Sequence, residues 1–242
     1  MTAAVVAELA RDRTRCTTLR SAPPISLRDT PDGLYLVASG AGPVGGDDLH
    51  LDVDVRCGAS LVVRSAAASM VLPGPSGEPS SLRVRARVHG SLRWEPEPTI
   101  LVAGCDHRAT TTIDLAAGAS LVWREVVVLG RHDESTGSLL QRLHVDRAGA
   151  PLLRAELPVG SRWPGAEGPA GTGGSLVVSS LLVVGLDEPA LPDGADGAVL
   201  RLADDAWLVT ALSGRERHQR KPVVESTQPP PEAGVRVERT TM

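Results

Sequence analysis

Phenylalanine and asparagine are absent from this chain of 242 residues, tyrosine occurs once, and the only lysine is Lys221. Without phenylalanine the interior must be aliphatic, with Trp94, Trp123, Trp163 and Trp207 as its few large pieces. Five aromatic residues in all are too few for a sugar-stacking platform. Arginine outnumbers lysine 24 to 1, which reads as base bias in the gene rather than as function. With no G-K-[ST] run there is no P-loop. Gly74-Pro-Ser-Gly77 is one residue short of the G-x-S-x-G nucleophile elbow of hydrolases. Cys16, Cys57 and Cys105 are odd in number and far apart, so they form neither a disulfide framework nor a zinc ribbon. No H-x-x-x-H or C-x-x-C spacing occurs. A formal charge of −4 gives no reason to expect nucleic acid. The longest apolar stretch, Leu176 to Leu186, is too short to cross a bilayer. Glu8, Arg11, Asp12 and Arg13 interrupt the apolar start, unlike a signal peptide. These absences lead to the expectation of a soluble cytoplasmic protein with free thiols and no membrane or nucleic-acid partner.

What is present begins with one loop. Gly40 to Asp48 reads GAGPVGGDD, with four glycines, one proline and two carboxylates. Leu34 to Ala38 before it is a short apolar run, and Leu49 to Arg56 after it alternates apolar and polar. Gly40, Gly42 and Gly45 spell G-x-G-x-x-G, but a dinucleotide site needs a helix next, and period-two alternation is a strand signal. Asp47 and Asp48 would also repel a phosphate. The loop therefore joins two strands, its glycines permitting a tight corner or close contact with a partner.

The middle of the chain repeats. Four segments follow one plan: an alternating strand, a glycine turn with small residues, then another strand. The turn glycines are Gly58, Gly90, Gly118 and Gly149, roughly one in thirty residues, a spacing that indicates stacked supersecondary units. Each unit reads as an antiparallel hairpin. The fold expected is all-β: repeated hairpins stacked in two layered sheets, β-helix-like, with few short helices. On Leu82 to Val88 the alternation puts Arg83, Arg85 and Arg87 on one face, which reads as a solvated sheet surface rather than a site for an acidic partner. Pro164 to Gly174 reads as a surface loop. Ser175–Leu186 and Ala198–Leu212 read as strands, or as one strand and a short helix. The chain divides into an N-terminal segment 1–20, a single β-rich domain 21–213 and a tail 214–242 whose composition predicts disorder.

Five stretches then carry a resemblance. Gly42-Pro-Val-Gly-Gly-Asp-Asp-Leu49 resembles the GG-x-VGGD-x-L signature of the urease accessory protein UreD (UreH) family, matching at Gly42, Val44, Gly45, Gly46 and Asp47. In the same order, Val55 to Leu61, Trp94 to Ile100, Ala116 to Leu121 with Glu125, Gly130 and Arg131, and Gly149 to Leu152 are similar to later segments of that family. Arg64 to Met70 and Val199 to Trp207 depart from its pattern. The resemblance implies a two-layer β fold and a non-enzymatic maturation factor. Such proteins work on the urease apoprotein with UreF and the GTPase UreG, and are thought to offer nickel a passage to the metallocentre.

Ni²⁺ accepts imidazole, thiolate and carboxylate. The candidates are Asp47, Asp48, Glu125, Cys105 and His107, with His50 and Arg131-His-Asp-Glu134 further possibilities. Cys105 and His107, two apart, share a face of an extended strand, which permits two ligands but not a closed site. A transient passage needs only weak, scattered ligands, so no tightly bound cofactor is expected, and Ni²⁺ is expected only in transit. Glu125 sits in the apolar run Val122 to Leu129, where a charge is costly unless paired or wet. Asp47 could equally cap a turn, Glu125 make a structural ion pair, and Cys105 fill the core. Two other readings stay open: a generic β-sandwich protein-binding module with no metal role, and an enzyme built on the Asp47/Asp48 carboxylate pair.

Overall fold

The computed structural model describes residues 2–191 and 194–214. They form seventeen strands and no helix. The first four are β1 (Thr2–Ala10), β2 (Arg13–Arg20), β3 (Ile25–Thr30) and β4 (Gly33–Ala38). The repeating middle holds β5 (Asp48–Val55), β6 (Ser60–Ser65), β7 (Ser69–Val71), β8 (Ser80–Val88), β9 (Ser91–Glu95) and β10 (Thr99–Leu101), then β11 (Asp106–Leu115), β12 (Ser120–Leu129) and β13 (Ser138–Arg147). The last are β14 (Ala150–Val159), β15 (Val177–Val184), β16 (Asp196–Ala203) and β17 (Ala206–Ser213).

Two sheets face each other. One has seven strands in the order β14-β13-β11-β8-β5-β1-β2. The other has ten, with β16-β17-β15-β12-β9-β6-β4-β3 as its path and β10 and β7 continuing alongside β12. The expected all-β, two-layered, β-helix-like class holds.

The hairpins at Gly58, Gly90 and Gly118 require correction. Each of these turns carries the chain from the first sheet into the second, as an arch. The strands pair in parallel with their counterparts one repeat away: β5 with β8, β8 with β11, β11 with β13, and likewise β6 with β9 and β9 with β12. Alternation fixes which face of a strand is buried but says nothing about which strand lies beside it, so the sequence pattern suits arch and hairpin alike. The arches stack through backbone bonds from His89 N–H to the Val55 carbonyl, Ala116 N–H to Val88 and Ser120 N–H to Gly90. Gly90 is required there, since a Cβ would overlap the Ala59 carbonyl. Gly149 does close an antiparallel hairpin, between β13 and β14, with Ala148 and Gly149 at φ 51° and 78°. The few short helices expected do not occur among the described residues, and the C-terminal segments form β15, β16 and β17.

Residues 1–20, set apart in the sequence reading, supply β1 and β2, and β1 lies parallel to β5 with Ala3, Val5 and Ala7 in the main core. The tail from 215 lies outside the described residues. Pro164–Gly174 forms turns with no strand. Among the described residues no helix is long and apolar enough to cross a membrane.

The interior has two apolar blocks. The larger is built around Trp94 and Trp123, stacked with centroids 4.5 Å apart, and gathers Leu51, Ile113, Leu121, Val145 and Leu182. The smaller holds Val71, Leu101, Cys105, Val127, Leu129, Leu139, Val159 and Val178.

Candidate functional site

Between the two blocks lies a polar belt. On β12, Trp123 belongs to the larger block and Val127 to the smaller; Glu125 falls between them on the same inward face. On β13, Gln141 stands midway between Leu139 of the smaller block and Leu143 of the larger. On β15, Ser180 is in register with Glu125, between Val178 and Leu182. Gln141 Nε2 donates to Glu125 Oε2 at 2.6 Å, a bond that crosses from one sheet to the other. The Trp123 indole N–H is buried beside them without a hydrogen-bond acceptor.

Burial pushes the Glu125 carboxyl up to about 7, opposed by the Trp123 indole N–H, which lies just outside hydrogen-bonding geometry to it. The structural ion pair raised for Glu125 is not made with Arg131, which binds Glu134 side-on through Nε and Nη2, at 2.8 Å each. Glu125 is held by an amide instead.

The glycine loop is fixed by its own carboxylate. Asp47 Oδ2 accepts from the Val44 amide at 2.8 Å, and the Asp47 amide donates to the Val44 carbonyl at 2.9 Å. The loop lies against Leu72, just past the end of β7, with Gly45 N–H on the Leu72 carbonyl and Leu72 N–H on the Pro43 carbonyl. Beside it, between the sheets, is a cavity of about 110 Å³ lined by Pro43, Leu49, Leu82 and Trp94, with Ser69 as its one hydroxyl. Its walls approach the belt. Trp94 stacks on Trp123, and Leu82 is in register with Ala109, itself in register with Gln141.

The remaining candidates are dispersed. Asp48 points outward from the first sheet, bound to the Ser81 hydroxyl, to His50 Nε2 at 3.1 Å and to Arg83 at 2.5 Å. The Ser81 and His50 hydrogen bonds hold it at about 2. Arg85 and Arg87 on the same face lie in register with Asp52 and Asp54, so the arginine stripe sits beside an acidic one. Cys105 belongs to the smaller apolar block, its sulfur against Gly137, and burial pushes the thiol up to about 11. His107, 2% exposed, shares a 2.8 Å hydrogen bond between Nδ1 and the Ser80 hydroxyl, and burial pulls it down to about 4. His132 and Asp133 are exposed on the 130–137 loop. Among the described residues no three His, Cys, Asp or Glu side chains form a group that could hold a metal ion.

Gln141, Ser180 and the Trp123 N–H were not singled out from the sequence. Gln141 could have been, because in the alternating run Leu139 to Val145 it occupies an apolar-parity position, as Glu125 does on β12.

A family model described as the UreD urease accessory protein matches residues 2–222. The urease accessory protein UreD of Frankia alni is 43% identical over 205 residues, covering 74% of this chain and 68% of the relative. UreD of a Parafrankia species is 40% identical over 230 residues, 82% of this chain and 77% of the relative. UreD 3 of Streptomyces griseus is 38% identical over 226 residues, 86% and 87% respectively. With the match running from β1 through β17 and through the glycine loop, the chain belongs to the UreD urease accessory protein family.

Proposed function

We propose that this protein is a urease maturation factor: a cytoplasmic accessory chaperone that acts with UreF and the GTPase UreG on apo-urease, and through which nickel passes on its way to the metallocentre. Family membership over residues 2–222 is the observation that carries the accessory role. The passage rests on the belt. An acid that titrates near neutrality, set between two apolar blocks next to an inter-sheet cavity, suits an ion in transit. It attracts a divalent cation when ionised, yet a lone carboxylate does not hold nickel as thiolates would. Gln141 orients the carboxylate, and the cavity on the far side of the Trp94–Trp123 stack has room for water on the way to it.

The remaining candidates take lesser parts in this reading. Asp47 shapes the loop, Asp48 belongs to the outer surface, and Cys105, kept as a thiol, is a poor ligand. His107, kept neutral, is a weak ligand beside Leu139 of the smaller block. The chain itself is not an enzyme in this reading, and GTP turnover belongs to the partner. Three free cysteines are compatible with a reducing compartment.

The test is complementation of a strain lacking this gene but carrying urease and the other accessory genes. The parent chain is expected to restore nickel-loaded urease. Glu125→Ala is expected to be soluble and to co-purify with its partners, while nickel per urease falls at least fivefold. The purified chain should not hydrolyse GTP. Full nickel loading by Glu125→Ala would remove the passage, and failure of the parent to restore urease would remove the accessory role.

A further inference from the structure

The main paths of the two sheets end at four strands, with the three-residue β7 a short further edge bridged at Leu72 by Val44, and a bare edge offers unpaired backbone groups to another strand. Three are guarded. β14 carries Pro151 and Pro158, which lack the N–H needed to extend a ladder. β2 carries Arg13, Arg15 and Arg20. β3 is six residues long, follows Pro23-Pro24 and bears Arg28 and Asp29.

β16 is different. It has eight residues, no proline, and between Gly197 and Ala203 a single charge, Arg201, which is tied to Asp204 at 2.8 Å. Its partner on one side is β17; on the other it has none among the described residues. β14, at the corresponding end of the other sheet, comes near β16, but no backbone hydrogen bond joins them among the described residues.

The side chains along this edge say what kind of strand fits. Val199 packs on the outer cluster of Val122, Leu181, Val183, Trp207 and Val209, together with Leu186 and Leu191 of the preceding segment. Leu200, on the opposite parity, faces the gap between the sheets and is 48% exposed. The segment that covers the outer cluster also carries Asp187 and Glu188, exposed and without an ion pair among the described residues, and Asp196 opens the strand in the same condition. We infer that β16 is a docking edge for an extended segment of a basic partner protein, which adds a strand to the ten-stranded sheet. Its inward side chains cover Leu200 and close the gap toward β14. Its outward lysines or arginines meet Asp187 and Glu188. Backbone bonding supplies the attachment, and the alternation of a strand sorts apolar from basic contacts onto the two faces. The inference is independent of the nickel passage.

The test uses the full chain and a six-residue peptide, acetyl-Lys-Leu-Lys-Val-Lys-Leu-amide, N-methylated at alternate positions so that it can extend a sheet without associating with itself. Amide hydrogen exchange is followed with and without the peptide at millimolar concentration. Slowing of at least fivefold is expected in residues 196–203. It should be lost in Leu200→Lys, weakened several-fold when Asp187 and Glu188 are both changed to Lys, and absent with a peptide carrying Glu in place of Lys. Both substitutions fall at exposed positions, and an unchanged melting temperature would show that each variant is folded. Unchanged exchange at β16, equal slowing with the acidic peptide, or slowing at β2 or β3 instead would overturn the inference.

Discussion

A side chain on Gly45 would collide with the backbone of Gly74, and a side chain on Gly74 would collide with Gly45: each added Cβ overlaps the main chain of the other. Neither glycine has a positive φ, so the requirement is one of distance, not backbone conformation. The GGD loop keeps its place because two backbone segments touch without intervening side chains.

Gly45→Ala should therefore destabilise the fold by about 3 kcal/mol or more, in the range of severe overpacking. Gly118→Ala provides the contrast. Nothing lies within 4 Å of its added Cβ, and its φ is not positive, so the change should be neutral or stabilise by about 0.5 kcal/mol through a less flexible unfolded chain. Urea unfolding of both variants measures the difference, and equal losses would contradict the contact. Asp47→Ala should fall between them, losing about 1 kcal/mol with the hydrogen bond to Val44.

Stability against pH should carry two opposing slopes. The Glu125 carboxyl rises from 4.5 to about 7 on folding. Between those values the native state holds more protons than the unfolded one, so its contribution is lost as pH climbs through the window. Glu125→Gln stays neutral and should exceed the parent by roughly 2 kcal/mol at pH 8, since the carboxyl keeps some contact with solvent, and by little at pH 4.5. His107 moves the other way, from 6.5 to about 4. The unfolded state binds the extra proton, so stability falls as pH drops from 6.5 toward 4, by up to about 3 kcal/mol. His107→Asn, which can still bond Ser80, should flatten that limb. Thermal unfolding from pH 4 to 8 separates the two effects, and a parent-like slope in either variant would refute the assignment for that residue.

Glu125 and Gln141 should behave as a unit in urease maturation. Gln141→Leu frees the carboxylate from its amide, and nickel per urease is expected to fall about threefold. The double variant Glu125→Ala, Gln141→Leu should be no worse than Glu125→Ala alone, since coupled neighbours are not additive. Strictly multiplicative losses would show that the two act separately.

The thiols give a simple check on the interior. Iodoacetamide at pH 8 should label exposed Cys57 first. Cys105, buried and raised to about 11, should react at least about a hundredfold more slowly until the protein unfolds. Rapid labelling of Cys105 would mean that the smaller block is open to solvent.

The strands were legible because Leu49 to Arg56 and Leu82 to Val88 alternate cleanly and Leu139 to Asp146 does so apart from Leu140 and Gln141, and the repeat was legible from the spacing of Gly58, Gly90 and Gly118. Parallel pairing was not, because a turn glycine marks a change of direction without saying whether the next strand lies beside or across. Glu125 stood out as an acid in an apolar run. Its partner did not, because the bond to Gln141 joins strands of different sheets, sixteen residues apart. Asp47 and Asp48 look alike in sequence, yet one turns back on the Val44 amide and the other faces outward toward Ser81 and Arg83. Adjacent residues at a strand start diverge in this way.

The division of the interior has a mechanical consequence. In a sandwich with one continuous core, parting the sheets anywhere exposes apolar surface in proportion to the opening. Here the seam at Glu125 is already polar, so parting the sheets along that line exposes less apolar surface than parting them at Val71, Leu101 and Val159 or at the tryptophan stack. Water reaching the seam would meet a carboxyl and an amide, not hydrocarbon. The molecule is thus creased along one line, where the cost of local opening is lowest.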